Sequence, residues 1–227
     1  MRLGIISALD LEIELLIEKL IIKKKSIIAG FHFYESNYNG IDIILAICDV
    51  GKTNSASCTQ ILINNFKITH VINLGVGGSL RKNISKHDLV ISDGLSHHDV
   101  RKTQMINRFP FQLIFKPSEY LKNLAIESAK NINKNYHVGK IVSGEAFVTD
   151  IELREKIIAE HDPACVEMEG SSVAHVAYIN NVEFLVIRSI SDYACEGTKL
   201  NSDIIRKASE NGVELLWEML NNLNNFY

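Results

Sequence analysis

The sequence predicts an α/β fold: a single-domain, three-layer sandwich in which a central mixed, twisted sheet is flanked by helices. Three observations carry this. Apolar runs of strand length alternate with segments of helical spacing along the whole 227 residues. Several runs are near-continuous Val, Ile and Leu, the pattern of strands covered on both faces. One hairpin signal, Asn39-Gly40, is inserted early in this alternation. With three prolines (Pro110, Pro117, Pro163) and no low-complexity linker, no boundary divides residues 1–227.

The elements follow in order. Arg2–Ser7 is a short apolar run and reads as a strand; Leu11, Leu15, Leu16 and Leu20 give Leu9–Ile22 a helical period. Lys23-Lys24-Lys25 reads as a solvated turn. Ser26–Tyr38 and Ile41–Val50 are β-rich and meet at Asn39-Gly40, where Gly accepts positive φ. Gly51 opens a helix to about Phe66. Thr69–Leu74 is an apolar strand ending in Gly75-Val76-Gly77-Gly78, and His87–Ser92 is another strand. His97–Pro117 is irregular. Beyond it, helices are predicted over Glu119–Asn131, Ile151–Ala159, Gly170–Tyr178 and Ser202–Leu223, and strands over Val138–Val142, Cys165–Glu167 and Glu183–Ser189.

Composition narrows the function. At 46% hydrophobic, 22% charged and a net charge of −3, the chain is not disordered as a whole. The slightly acidic balance argues against a protein that binds nucleic acid by neutralising phosphates. No uncharged apolar run approaches the roughly 20 residues of a membrane span. Asp10, Glu12 and Glu14 interrupt the first apolar stretch, unlike a secretory signal. Cys48, Cys58, Cys165 and Cys195 have no CxxC pair and no metal-ligand spacing, so they read as reduced thiols of a cytoplasmic protein. No cofactor and no metal are expected.

In such sheets the site gathers in the loops beyond the strand ends. Those loops hold Glu12, Glu145, Phe147, Glu169 and Asp192. Gly75-Val76-Gly77-Gly78 lacks the dinucleotide GxGxxG spacing and has no P-loop Lys-Ser/Thr, so it is either a tight turn or a surface for a small ligand. Glu167-Met168-Glu169 leads from a strand into a helix. One acid there would cap the helix, and a second is free to accept both hydrogens of a ribose diol. Arg188-Ser189-Ile190-Ser191-Asp192 reads either as a buried Arg paired with an acid or as part of the site. His97-His98-Asp99 lacks a third ligand cluster and reads as structural.

Taken in sequence, these segments resemble the 5′-methylthioadenosine/S-adenosylhomocysteine nucleosidases of the purine nucleoside phosphorylase-like superfamily. The resemblance runs end to end: Gly4-Ile5-Ile6-Ser7-Ala8 with Glu12, Gly51-Lys52, Asn73 to Gly78, His98-Asp99, Ile141 to Val148, Val166 to Glu169, and Arg188 to Asp192. It implies Asp192 as general acid toward adenine N7 and Glu12 as the base that activates water. Glu169 would hold the ribose hydroxyls, with Glu167 in the same binding segment and Met168 against the sugar. Phe147 would stack on adenine, the Val148 backbone read its edge, and Gly78 give a backbone contact. Arg188 and Ser191 would orient the acids. Leu74, Val76, Ser79 and Leu9 depart from the family's usual residues, and Val76 offers no hydroxyl near the acid. Met105, Phe109 and Pro110 are candidates for a partner subunit's 5′-alkylthio pocket, since the family pattern is a homodimer.

The chemistry explains the residue types. Cleaving an N-ribosidic bond leaves a poor anionic base and an oxocarbenium-like sugar; protonating the base eases the first, and an enclosed acid-lined pocket the second. The two carboxylates must therefore hold different protonation states. A phosphorolytic purine nucleoside phosphorylase would need a cationic phosphate cradle, yet Asp10, Glu12 and Glu14 stand by the first strand and no Arg occurs between Arg2 and Arg81. A non-catalytic nucleoside-binding protein would not need both Glu12 and Asp192. The expected ligands are adenine thionucleosides.

Overall fold

The computed structural model describes residues 1–195, 197 and 201–223; the last four residues of the expected 1–227 domain lie outside these. Nine strands join in one mixed sheet in the order β2-β3-β4-β1-β5-β8-β7-β6-β9. The strands are β1 (Arg2–Ser7), β2 (Ile22–Ile28), β3 (Phe31–Tyr38), β4 (Ile41–Ile47), β5 (His70–Ser79), β6 (Leu89–His97), β7 (Tyr136–Ser143), β8 (Cys165–Glu167) and β9 (Glu183–Asp192). The helices are α1 (Asp10–Lys19), α2 (Lys52–Phe66), α3 (Lys102–Asn107), α4 (Glu119–Asn131), α5 (Ile151–His161), α6 (Gly170–Ile179) and α7 (Ser202–Asn222). β5 also pairs with β9, so β5, β8, β7, β6 and β9 close into a ring.

The near-continuous apolar runs are covered on both faces, and their side chains alternate between two cores. Leu3, Ile5, Ile43, Leu45, Ile72, Leu185 and Ile187 pack under α1, α4 and α7. Their neighbours Ile6, Ile44, Ala46, Val71, Phe184 and Val186 pack under α2 and α6. A period of two with both sets apolar is what a sheet between two helical layers requires.

Four local expectations change. Lys23-Lys24-Lys25 is not a turn but the exposed part of β2, an edge strand whose lysines stay solvated while its backbone pairs with β3. Ser26–Tyr38 breaks at Ala29-Gly30, which carry φ of 53° and 89° and make a hairpin turn without the Asn-Gly signal. His97–Pro117 contains α3. Gly75 to Gly78 is neither turn nor loop but the last part of β5, paired with β9.

Candidate active site

Five chain segments converge beyond the strand ends. β1 runs through Ala8 and Leu9 into α1, which carries Glu12; β7 leads to the loop 144–148, and β8 through Met168 and Glu169 into α6. β5 ends in its glycines and β9 in Ser191-Asp192. They enclose a cavity of about 360 Å³. Glu12, Gly78, Phe147, Val148, Glu167, Met168, Glu169, Ser191 and Asp192 line it, as do Leu9 and Val76. Arg188 lies behind this wall, 1% exposed.

Glu12 is held from two directions. Its Oε2 accepts the Leu9 N–H at 2.9 Å, closing the start of α1, and its Oε1 accepts the Val76 N–H from β5 at 2.9 Å. The glycines of β5 make this possible. A Cβ on Gly75 would stand 2.8 Å from Glu12 Oε1, and one on Gly78 3.0 Å from Asp192 Oδ1. Two carboxylates from α1 and β9 thus lie against bare backbone. Asp192 accepts the Ser191 hydroxyl on Oδ2 at 2.7 Å and the Ala194 N–H on Oδ1 at 2.8 Å.

The Glu167-Met168-Glu169 unit divides its labour. Glu167 accepts the Glu169 and Gly170 N–H groups at the start of α6, at 3.0 and 2.7 Å. It also accepts the Ser143 hydroxyl and pairs with Arg188, so its oxygens are engaged inside the protein. The Arg188 guanidinium further donates to Asn73 Oδ1 at 2.6 Å and lies 3.9 Å from Glu169. Glu169 accepts the Gly51 N–H at 2.9 Å, and its carboxylate lines the cavity.

Burial governs the electrostatics. It raises Glu12 above the ordinary carboxylate range, against the opposing pull of the Leu9 N–H, the Arg188 charge and the Val76 N–H. It pushes Glu169 to about 8, helped by the neighbouring charge of Glu167 and opposed by Arg188. Burial works against the Arg188 charge, but Glu167, Glu169 and Glu12 outweigh it and keep the guanidinium charged. Three carboxylates therefore share one buried cation, in a cavity that no lysine or arginine lines among the described residues.

Three wall residues carry no signal in the sequence reading: Val50, Ala194 and Ile205. Val50 adjoins the Gly51-Lys52 motif and was within reach of it. Ile205 sits in the first turn of α7, amphipathic like any surface helix, and carries no signal of its own. Phe147 stands at the rim of the cavity, 46% exposed.

The phosphorylase superfamily model matches residues 2–221. A 5′-methylthioadenosine/S-adenosylhomocysteine nucleosidase of Halalkalibacterium halodurans is 34% identical over 228 residues, spanning 98% of this chain and 99% of the relative. The crystal structure of such a nucleosidase from Colwellia psychrerythraea, in complex with adenine, superposes with a TM-score of 0.91 at 31% identity, over 98% of this chain and 96% of that one. Futalosine hydrolase of Helicobacter pylori superposes with the same TM-score at 30% identity, over 98% of both chains. Matched end to end in sequence and in fold, the chain belongs to the phosphorylase superfamily and, within it, to the 5′-methylthioadenosine/S-adenosylhomocysteine nucleosidases.

Proposed function

We propose that the cavity binds 5′-methylthioadenosine and S-adenosylhomocysteine, with 5′-deoxyadenosine as a further substrate, and hydrolyses the N-ribosidic bond to adenine and the free 5-substituted ribose. The observation that carries this is the pair Glu12 and Asp192, both buried in one largely apolar cavity and each anchored by two hydrogen bonds of its own. Phe147 stacks on adenine while the Val148 and Gly78 backbones meet its edge and the sugar. Glu169 accepts the ribose hydroxyls, with Met168 beneath the ring. Asp192 delivers a proton to N7 so that adenine leaves neutral, and Glu12 takes a proton from water as it attacks C1′ of the cationic sugar. Ser191 orients Asp192. Arg188, through Glu167, holds the turn that presents Glu169 and offsets the buried Glu167 charge.

Phosphorolysis is disfavoured because phosphate would meet Glu12 and Glu169 with no cation lining the cavity among the described residues. Mass spectrometry of the products from 5′-methylthioadenosine, with and without phosphate, tests the reading. Adenine and free 5-methylthioribose formed equally in both supports it; a sugar 1-phosphate that requires phosphate overturns it. Asp192→Asn is expected to abolish turnover while nucleoside still binds. The working form we propose is a homodimer, supported by exposed Phe109, Phe111, Tyr178 and Ile179 around one groove. A monomer by light scattering at assay concentration would refute that form.

A further inference from the structure

α2 starts without a side-chain cap of its own. Its first free N–H groups are satisfied instead by carboxylates from distant segments: Gly51 donates to Glu169 Oε1 at 2.9 Å and Lys52 to Glu145 Oε2 at 3.0 Å. A second set of bonds closes on the same place. Lys52 Nζ donates to Asp99 Oδ1 at 2.5 Å, and Asp99 Oδ2 accepts the Glu145 N–H at 2.9 Å. Lys52, Asp99 and Glu145 thus form a closed ring that joins α2, the loop after β6 and the loop after β7. One of its neighbours is the donor to Glu169, and Phe147 lies two residues beyond Glu145.

We propose that Asp99, together with Lys52, is a positioning residue that fixes the Phe147 loop and Glu169 relative to each other, so that the base and sugar halves of the ligand are read at one set distance. This rests on the assignment of Phe147 to the base and Glu169 to the ribose. Neither Asp99 nor Lys52 lines the cavity. The loop has further support behind it, where the His98 imidazole packs so closely on Gly144 that a side chain at 144 would collide with it. Burial works to raise Asp99, but the bonds from Lys52 and the Glu145 N–H outweigh it and hold the carboxyl below its usual range, so the ring is charge-assisted. An ordinary half-exposed ion pair would add little and leave ligand affinity alone. Glu12 and Asp192 take their donors from Leu9, Val76, Ser191 and Ala194, outside the ring. Loosening the ring therefore weakens binding more than it slows the bound complex.

The test measures KM and kcat for 5′-methylthioadenosine, and the equilibrium affinity for adenine, in the wild type, Asp99→Ala, Asp99→Asn and Lys52→Met, with urea unfolding as a check on the fold. Asp99→Ala is expected to raise KM by about tenfold to a hundredfold, the scale of a lost charge-assisted hydrogen bond, with kcat changed several times less. Its effect on adenine alone should be smaller than on the nucleoside, because adenine reports only the base loop. Asp99→Asn, which keeps an acceptor for the Glu145 N–H, should recover much of the loss. A KM and an adenine affinity unchanged in folded Asp99→Ala would overturn the inference while the wild type's cleavage upholds the site assignment. A fall in kcat as large as the rise in KM would also overturn it. If the wild type cleaves no nucleoside the site assignment fails, and adenine binding then decides the inference: equal affinity in wild type and variant, or none in either, overturns it.

Discussion

Gly75 separates room for the proposed base, Glu12, from backbone freedom, since its chain is an ordinary strand. In Gly75→Ala the new Cβ would stand 2.8 Å from Glu12 Oε1, 3.4 Å from its Cδ and 3.5 Å from Arg188 Cζ. Restoring ordinary contact at 3.4 Å pushes the oxygen back by about 0.6 Å. Glu12 cannot yield freely, because Leu9 and Val76 each hold it at 2.9 Å and Ile13 beside it is fully buried. The most direct relief is to break the Val76 bond and turn the carboxylate toward the cavity. Losing one charge-assisted hydrogen bond amounts to about 1.5–3 kcal/mol, and displacing the proposed base compounds it, so kcat should fall on the order of a hundredfold. Stability should fall less, since Ala in place of Gly restricts the unfolded chain and returns about 0.4–1 kcal/mol. Gly4→Ala is the control. Its Cβ meets the terminal methyl of Ile68 at 2.9 Å, far from any carboxylate, and kcat should stay within about threefold of wild type. Steady-state kinetics with urea unfolding read both quantities. Wild-type kcat in folded Gly75→Ala would refute the claim that bare backbone at Gly75 seats the base.

Other outcomes follow from the buried charges. Glu169 holds its proton up to about 8 in the ligand-free fold, so between about 4.5 and 8 the folded chain binds more protons there than the unfolded one. That contribution is complete below about 4.5 and is lost as pH rises toward 8. Urea unfolding at pH 5.5 and 8.5 should show the wild type losing on the order of 3 kcal/mol more than Glu169→Gln, and parallel curves would contradict it. Because Glu12, as the proposed base, must be ionised and burial raises it in the ligand-free fold, kcat/KM should decline with falling pH from above the ordinary carboxylate range; Glu12→Gln should remove that limb and lower kcat about 10²- to 10⁴-fold. Arg188→Met strands Glu167 as a buried unpaired charge and should destabilise the protein by about 3–5 kcal/mol, read from its urea midpoint.

The alternation of strands and helices, the two-sided burial of the sheet and the gathering of acids beyond strand ends were all legible in the chain, because each depends on residues a few positions apart. Where local patterns misled, a neighbour in space had intervened. The lysines of β2 are a strand because β3 pairs with them, and the glycines of β5 continue a strand because β9 does. Periodicity says nothing about which oxygen meets which N–H. Glu167 and Glu169 sit two residues apart with the same side chain, yet one is consumed by Ser143, Arg188 and the start of α6, while the other faces the cavity with a donor 118 residues away. Glu12 likewise takes a donor 64 residues distant, and Asp99 reaches across 46 to the loop that carries Phe147. The layers and the chemical kinds of group at the strand ends follow from local spacing, which decides which face of each element is apolar. Which carboxylate oxygens face the cavity and which are spent holding its walls is settled in three dimensions, because those bonds form between segments that packing alone brings together.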